Sequence, residues 1–201
     1  MGKIYNGADM SAIESNNLKN IEEIVDFLKK IGSLVGERDD VKFRDDEIKR
    51  IYNILRKYIY KNVLLVGDYG SGKRSVVEGY CGYLLKKGEH EMVFSLDFSE
   101  ILKIATNPIE FDKIVNDIFY AACDDTLNMT ININNIGELL NSNLYGNAGH
   151  SFINKMIRYI EDDGGVKIIA TATHRELKEI GEHFPTLLNY FTVMKLKEFT
   201  V

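Results

Sequence analysis

The chain has 201 residues, and its 25 Lys and Arg against 30 Asp and Glu give a formal net charge of −5. This balance argues against a general nucleic-acid binder, which needs a surplus of basic residues. Two cysteines without a CxxC pair exclude a disulfide scaffold and a zinc knuckle, and the four histidines lack metal-ligand spacing, so no metal site is predicted. No apolar run approaches about 18 residues, and the N-terminus lacks the apolar segment of a signal peptide. We therefore expect no membrane partner and a cytoplasmic location, or an organellar stroma or matrix after processing.

Two amphipathic helices are predicted in the first third of the chain. Apolar residues recur at helical spacing over residues 18–31, and Asn17 can cap the start of this helix. The polar stretch 36–40 predicts a surface linker. A second helix is predicted over residues 45–58, with isoleucines and a leucine on one face.

From residue 62 onward, short apolar runs alternate with helical segments. The runs predicted as strands are 62–67, 92–97, 129–134, 167–171 and 191–196. The segments predicted as helices lie near 72–87, 98–105, 110–124, 149–163 and 174–182. Strands separated by crossovers long enough for helices form a parallel sheet with helices on both faces. We predict an α/β fold, a three-layer α/β/α sandwich around a five-stranded parallel sheet.

A glycine-rich loop lies between the first of these strands and a helix. It has the G-x-x-x-x-G-K spacing of a phosphate-binding loop. Glycines let backbone N–H groups surround a phosphate, the helix N-terminus adds partial positive charge, and the lysine reaches the β- and γ-phosphates. The alternative is a glycine-rich turn that happens to contain lysine. The predicted contacts to the phosphates of ATP or ADP are Gly67, Asp68, Tyr69, Gly70, Ser71, Gly72, Lys73, Arg74 and Ser75.

The residue after the lysine departs from the pattern. Ser or Thr is needed there, because its hydroxyl holds Mg²⁺, and this chain has Arg74. Ser75 comes one residue late and should point roughly 100° further round the helix. Lys73 and Arg74 together can neutralise phosphates, but a guanidinium is a poor substitute for a divalent metal in phosphoryl transfer. The loop therefore predicts anion binding and puts the use of Mg²⁺ in doubt.

The sequence around the loop resembles the first AAA+ module of Clp-type unfoldases and chaperones of the ClpB and ClpC kind. The segment 41–84, VKFRDDEIKRIYNILRKYIYKNVLLVGDYGSGKRSVVEGYCGYL, is similar to the family's "GRD-E-I" motif, phosphate loop and "VEGLA" helix. The similarity continues through three further segments and includes a lead-in at the N-terminus, with 17–40 as an apparent insertion. These segments are 93–102, 168–177, 187–199 and 4–13.

The resemblance implies a sheet order of 5-1-4-3-2 and a ring assembly in which the partners are other AAA+ or Clp subunits. It divides the chain into an N-terminal lead-in over residues 1–40, with one amphipathic helix, and a P-loop AAA+ large subdomain over residues 41–201. The given sequence stops where the family begins its small helical lid, so we expect the small subdomain to be absent here and the chain to be a fragment of a longer protein. Phe43 replaces the glycine of the family motif beside the adenine site.

Carried over by position, most of the family's working residues are changed. The third strand of the family ends in Asp-Glu, which orients the Mg²⁺ shell and activates water, and here Asn134 and Asn135 stand at these positions. An amide has no negative charge for a metal and does not accept a proton as a base. Asp124, Asp125 and Glu138, which are nearby in the sequence, and Asp97 are the carboxylates that would have to replace them.

Three further positions of the resemblance are changed as well. Asn107 stands where the pore loop has its gripping tyrosine, and Asn189 and Tyr190 stand where the arginine fingers would be. The polar sensor at the end of the fourth strand aligns with Ala172 or Thr173, of which Thr173 retains a hydroxyl.

These losses predict a Clp-like nucleotide-binding domain impaired in hydrolysis, a component of a chaperone or Clp protease assembly. One alternative is an active ATP-dependent unfoldase whose replaced residues have neighbours acting for them. Another is an interaction scaffold that no longer binds nucleotide, whose first helix either docks on the core or presents an apolar face to a partner. A P-loop kinase is a weaker option, because no acceptor-binding subdomain is visible.

Overall fold

The computed structural model describes residues 21–59, 61–124, 126–141, 146–162 and 165–197. The predicted lead-in at 4–13, the start of the first predicted helix and Asp125 lie outside these ranges. The helices are α1 (Ile21–Ile31), α2 (Asp45–Leu55), α3 (Lys73–Lys86), α4 (Phe98–Ile104), α5 (Pro108–Cys123), α6 (Ala148–Glu161) and α7 (His174–His183). The strands are β1 (Gly32–Leu34), β2 (Asn62–Val66), β3 (Met92–Leu96), β4 (Met129–Ile133), β5 (Lys167–Ala172) and β6 (Phe191–Lys195). Two 3₁₀ helices span Ile136–Leu140 and Pro185–Tyr190.

The sheet has six strands in the order β1-β3-β4-β5-β2-β6. Strands β2 to β6 are mutually parallel and follow the order 5-1-4-3-2 that the resemblance implied. The prediction of five strands needs one correction, because β1 adds an antiparallel edge strand beside β3. Its three residues are too few to show an alternating pattern. Gly32 is required there, since a Cβ at this position would lie 2.2 Å from the carbonyl oxygen of Ser95.

Helices cover both faces of the sheet, which confirms the three-layer α/β/α architecture. Alternate strand residues enter two separate hydrophobic clusters, as the period of two in a strand requires. One cluster joins the sheet to α2 and α3. The other joins it to α1, α4, α5, α6 and α7. In the described part of the chain, every helix is too short or too polar to span a bilayer.

The N-terminal segment packs on this core. Ile24, Leu28 and Ile31 of α1 are buried in the second cluster, so the helix docks rather than presenting these residues to a partner. The stretch predicted as a surface linker follows β1 across α3, where the Arg38 N–H donates to the carbonyl of Glu78 at 3.1 Å. A Cβ on Gly82 would lie 2.6 Å from the carbonyl oxygen of Arg38. The division of the chain at residue 40 stays a prediction.

Candidate phosphate-binding site

The glycine-rich loop connects β2 directly to α3. Its first residue, Gly67, continues the sheet by donating its N–H to the carbonyl of Ala172 at 3.1 Å. Gly70 and Gly72 have φ angles of 81° and 85°, a left-handed conformation that glycine adopts without a steric penalty. The loop thus has the strand–loop–helix setting that the motif needs.

The side chain of Lys73, the first residue of α3, folds back onto the loop. Its side chain is 9% exposed, and Nζ donates to the carbonyl oxygens of Gly67 at 2.5 Å and Asp68 at 3.0 Å. Burial lowers the pKa of Lys73, while the negative charges of Glu176 and Asp68 act in the opposite direction. The ammonium group is therefore held at the loop by backbone oxygens, close to where the motif places phosphates.

The next two residues face other partners. The Arg74 side chain is 88% exposed, and its Nε donates to Glu78 Oε1 at 2.9 Å, one turn further along α3. Ser75 Oγ accepts a hydrogen bond from Arg38 Nη1 at 3.3 Å, and this guanidinium also lies 3.6 Å from Glu78. The structure therefore brings Lys73 into the loop, whereas Arg74 and Ser75 are engaged with α3 and the segment before α2.

Amide and hydroxyl side chains form hydrogen bonds at the carboxyl ends of β3 and β4. Asn134 Nδ2 donates to Ser95 Oγ at 3.0 Å, and Asn134 Oδ1 accepts from Asn132 Nδ2 at 3.2 Å. Asn135 adopts a left-handed conformation with φ of 49°, and its backbone N–H donates to Thr171 Oγ1 at 2.9 Å. Asn134 thus belongs to a neutral group of amides and a hydroxyl, and both residues at this strand end have neutral side chains.

The carboxylates considered as replacements have different surroundings. Asp97 caps α4 by accepting from the backbone N–H groups of Ser99 and Glu100. Asp124 accepts from the N–H and hydroxyl of Thr126. Both are engaged within their own turns.

Glu138 is placed closer to the loop. Its Oε1 accepts from Asn135 Nδ2 at 2.9 Å. Together with Asp68 and Tyr69 of the loop, it lines an open cleft of about 740 Å³. Glu176 lines the same cleft, so its walls near the loop carry negative charge.

The remaining predicted positions serve local structure. Ala172 ends β5 in the core. Thr173 is 6% exposed and caps α7. Its hydroxyl oxygen accepts from the Glu176 N–H, and the Glu176 side chain accepts from the Thr173 N–H. Asn189 is exposed in the second 3₁₀ helix, and Tyr190 donates its hydroxyl to Glu161.

The predicted position of the pore loop is a short capped turn between α4 and α5. Asn107 Oδ1 accepts from the Glu110 N–H at 3.0 Å, and Glu110 Oε2 accepts from the Thr106 N–H at 2.9 Å. These bonds from Thr106 lower the pKa of Glu110. Asn107 is therefore the N-cap of α5 in this fold.

Replacing Asn107 by Ala is expected to lower the free energy of unfolding by about 1 kcal/mol, because the Glu110 N–H loses its acceptor at the helix start. Urea unfolding monitored by circular dichroism measures the change. Asn53→Ala on the exposed side of α2 is the control, and its effect should stay within about 0.5 kcal/mol. Equal losses in the two variants would show that the cap contributes nothing.

A second change tests backbone strain at Phe43, which has φ of 62° and a side chain that is 78% exposed. A left-handed conformation costs a non-glycine residue roughly 1–2 kcal/mol. Glycine avoids this cost, but part of the gain is lost because glycine makes the unfolded chain more flexible. Phe43→Gly should therefore raise the free energy of unfolding by about 0.5–1 kcal/mol. Phe43→Ala keeps the strain and should not stabilise the protein; chemical denaturation of both variants decides the matter.

One site residue was missed by the sequence reasoning. Arg44 is 3% exposed, and its Nη2 donates at 2.9 Å to the carbonyl of Ser71 in the loop. The segment that resembled the family contained this arginine, but a single sequence gave no signal that its side chain reaches the loop.

The loop and the strand order define the class of this protein: a P-loop α/β domain with the sheet order of the AAA+ fold. No family model matches the chain. It is 24% identical over 184 residues to the chaperone protein ClpB of Mycoplasma pneumoniae, covering 86% of this chain and 26% of that protein. ClpB of Malacoplasma penetrans is 25% identical over 185 residues, covering 90% and 25%.

Solved structures of Hsp104 from Saccharomyces cerevisiae share the fold. The Hsp104–casein complex in its extended conformation has a TM-score of 0.74 at 21% identity, covering 87% of this chain and 31% of that chain. The Hsp104–ADP complex has a TM-score of 0.72 at 21% identity, covering 86% and 31%. The resemblance to Clp-type AAA+ chaperones is thereby confirmed, and the chain has the fold of the AAA+ domain in these Hsp104 structures. It spans about a quarter of the length of the two ClpB relatives.

Proposed function

We propose that this domain binds ATP or ADP through residues 67–73 independently of Mg²⁺ and is impaired in hydrolysis. It acts as a nucleotide-responsive component of a chaperone or Clp protease assembly, with other AAA+ or Clp subunits as partners. The loop geometry supports binding, as does the structure of the similar Hsp104 with ADP. Another Hsp104 structure contains ATPγS and casein, which supports a protein partner.

The observation that carries impaired hydrolysis is the pair of neutral amide side chains at the end of β4. Asn134 and Asn135 supply no charge to a metal and no base for water, and their amides bind Ser95 and Glu138. Arg74 replaces the hydroxyl that Mg²⁺ needs and carries positive charge itself. The donor set therefore does not fit Mg²⁺.

Calorimetric titration of ATP and ADP, with and without Mg²⁺, tests the proposal. We expect dissociation constants that agree within about two-fold with and without the metal, together with negligible phosphate release. The matched variant combines Arg74→Thr, Asn134→Asp and Asn135→Glu, and we expect its ATP affinity to become Mg²⁺-dependent. A wild-type affinity that rises more than about ten-fold with Mg²⁺ contradicts the proposal. Absence of binding at millimolar nucleotide favours the interaction scaffold instead.

Active hydrolysis is the second candidate, and the position of Glu138 favours it. This carboxylate lies at the cleft beside the loop, next to the changed Asn135, and offers a base that the strand end lacks. If the domain hydrolyses ATP, Glu138→Gln should reduce turnover at least about 100-fold, in the range of a lost general base. Glu182→Gln, at an exposed position of the same cleft, is the control and should leave turnover unchanged.

A further inference from the structure

Arg44 joins the phosphate loop to the segment that follows β6. Its Nη2 donates to two carbonyl oxygens at 2.9 Å, one from Ser71 in the loop and one from Lys197, just beyond the last strand. Its Nη1 donates to Glu47 Oε1, also at 2.9 Å. The side chain is 3% exposed, so these contacts are shielded from solvent.

The two connected segments also touch through the backbone. The Leu196 N–H donates to the carbonyl of Val66 at 2.8 Å, immediately before the loop begins. A Cβ on Gly67 would lie 3.5 Å from the Leu196 side chain. A movement of the chain after β6 would therefore reach the loop by two routes. One is the backbone hydrogen bond to β2, and the other is the Arg44 guanidinium.

A buried guanidinium must keep its donors paired, because an unpaired buried charge is strongly destabilising. Since one nitrogen of Arg44 serves Ser71 and Lys197 together, displacing either carbonyl changes the geometry available to the other. Lysine carries the same charge but lacks the planar fork of donors that spans separate acceptors. The contact thus depends on arginine in particular.

We propose that Arg44 is a positioning residue that couples the phosphate loop to the segment around Lys197. Anion binding that orders the loop orders this segment too, and displacement of the segment loosens the loop. Such coupling is reciprocal by thermodynamic necessity. The ligand-dependent half of the proposal rests on the nucleotide binding proposed above, whereas the ligand-free half does not.

Hydrogen exchange of the whole chain without ligand tests the first half. Arg44→Ala should accelerate exchange at least about ten-fold in peptides covering 67–73 and 191–197, with β4 as an internal reference that stays protected. Arg44→Lys should restore only part of the protection. Arg50→Ala, at an exposed arginine of α2, the helix that Arg44 precedes, should change neither segment. Acceleration confined to one segment, or spread evenly over the chain including β4, overturns the coupling.

Addition of ATP or inorganic tripolyphosphate tests the second half. In the wild-type chain we expect added protection in both 67–73 and 191–197, and in Arg44→Ala protection of the loop alone. Protection of the loop without any change in 191–197 of the wild type overturns the proposal. If neither probe binds the wild type, the proposed nucleotide function fails, while the ligand-free comparison still decides whether Arg44 connects the two segments.

Discussion

Replacing Glu91 by Ala is expected to lower the free energy of unfolding by about 3–5 kcal/mol, the range for breaking a buried charge network. The Glu91 side chain is 3% exposed at the end of the sheet opposite the phosphate loop. It accepts from the Tyr80 hydroxyl at 2.9 Å and the Thr130 hydroxyl at 2.6 Å, and Lys167 Nζ lies 3.1 Å away. Burial, aided by the charge of Glu91, raises the pKa of Tyr80. Removing Glu91 leaves all three donors without this acceptor.

Guanidinium unfolding monitored by circular dichroism measures this loss. Glu182→Ala is the matched control, because Glu182 pairs with Lys178 outside this network and has 61% of its side chain exposed. An ion pair at such a position contributes about 0–1 kcal/mol. A loss for Glu91→Ala no larger than that of the control would show that the network does not stabilise the fold.

Replacing Lys73 by Ala should weaken ATP binding roughly 10–150-fold, the equivalent of one charge-assisted hydrogen bond of about 1.5–3 kcal/mol. The ammonium already lies within the loop, and its position next to the carbonyls of Gly67 and Asp68 keeps it available to an incoming phosphate. Because burial lowers the pKa of Lys73, the wild-type affinity should fall as the pH rises toward the ordinary value of 10.5. Calorimetric titration across alkaline pH measures both effects.

Lys86→Ala is the control for this change, since Lys86 lies at the other end of α3 with its side chain 61% exposed. Its affinity for ATP should equal that of the wild type. An unchanged affinity in Lys73→Ala, with the fold verified by its unfolding transition, would exclude the loop as the nucleotide site.

The strand and helix pattern was sufficient to predict most of the fold, because each element has a strong period and a recognisable boundary. The ten predicted elements after residue 62 match observed ones to within about two residues at each end. Strand β1 was missed because three residues carry no period, and its pairing with β3 is set by tertiary contact. The packing of 36–40 on α3 was missed for the same reason: it depends on a close approach between Arg38 and Gly82, which lie about 44 residues apart in the sequence.

The candidate site was predictable in its residue types and less so in its side-chain directions. The spacing located Lys73 and the glycines, since the motif itself encodes a backbone shape. The spacing did not predict the pairing of Arg74 with Glu78, because several carboxylates lie within reach of a guanidinium at the surface and the folded geometry decides which one it pairs with. Nor did it give the contact of Arg44 with Ser71, which joins residues that only the folded chain brings together.

The pairing of β1 with β3 also affects how the chain folds as it leaves the ribosome. Ser33 must wait for Ser95 before its strand has a partner, a delay of several seconds at synthesis rates of roughly 5–20 residues per second. Throughout this interval the apolar side of α1, with Ile24, Leu28 and Ile31, has no sheet to cover it. Slowing translation before residue 95 should therefore lengthen the time during which this side of α1 is exposed.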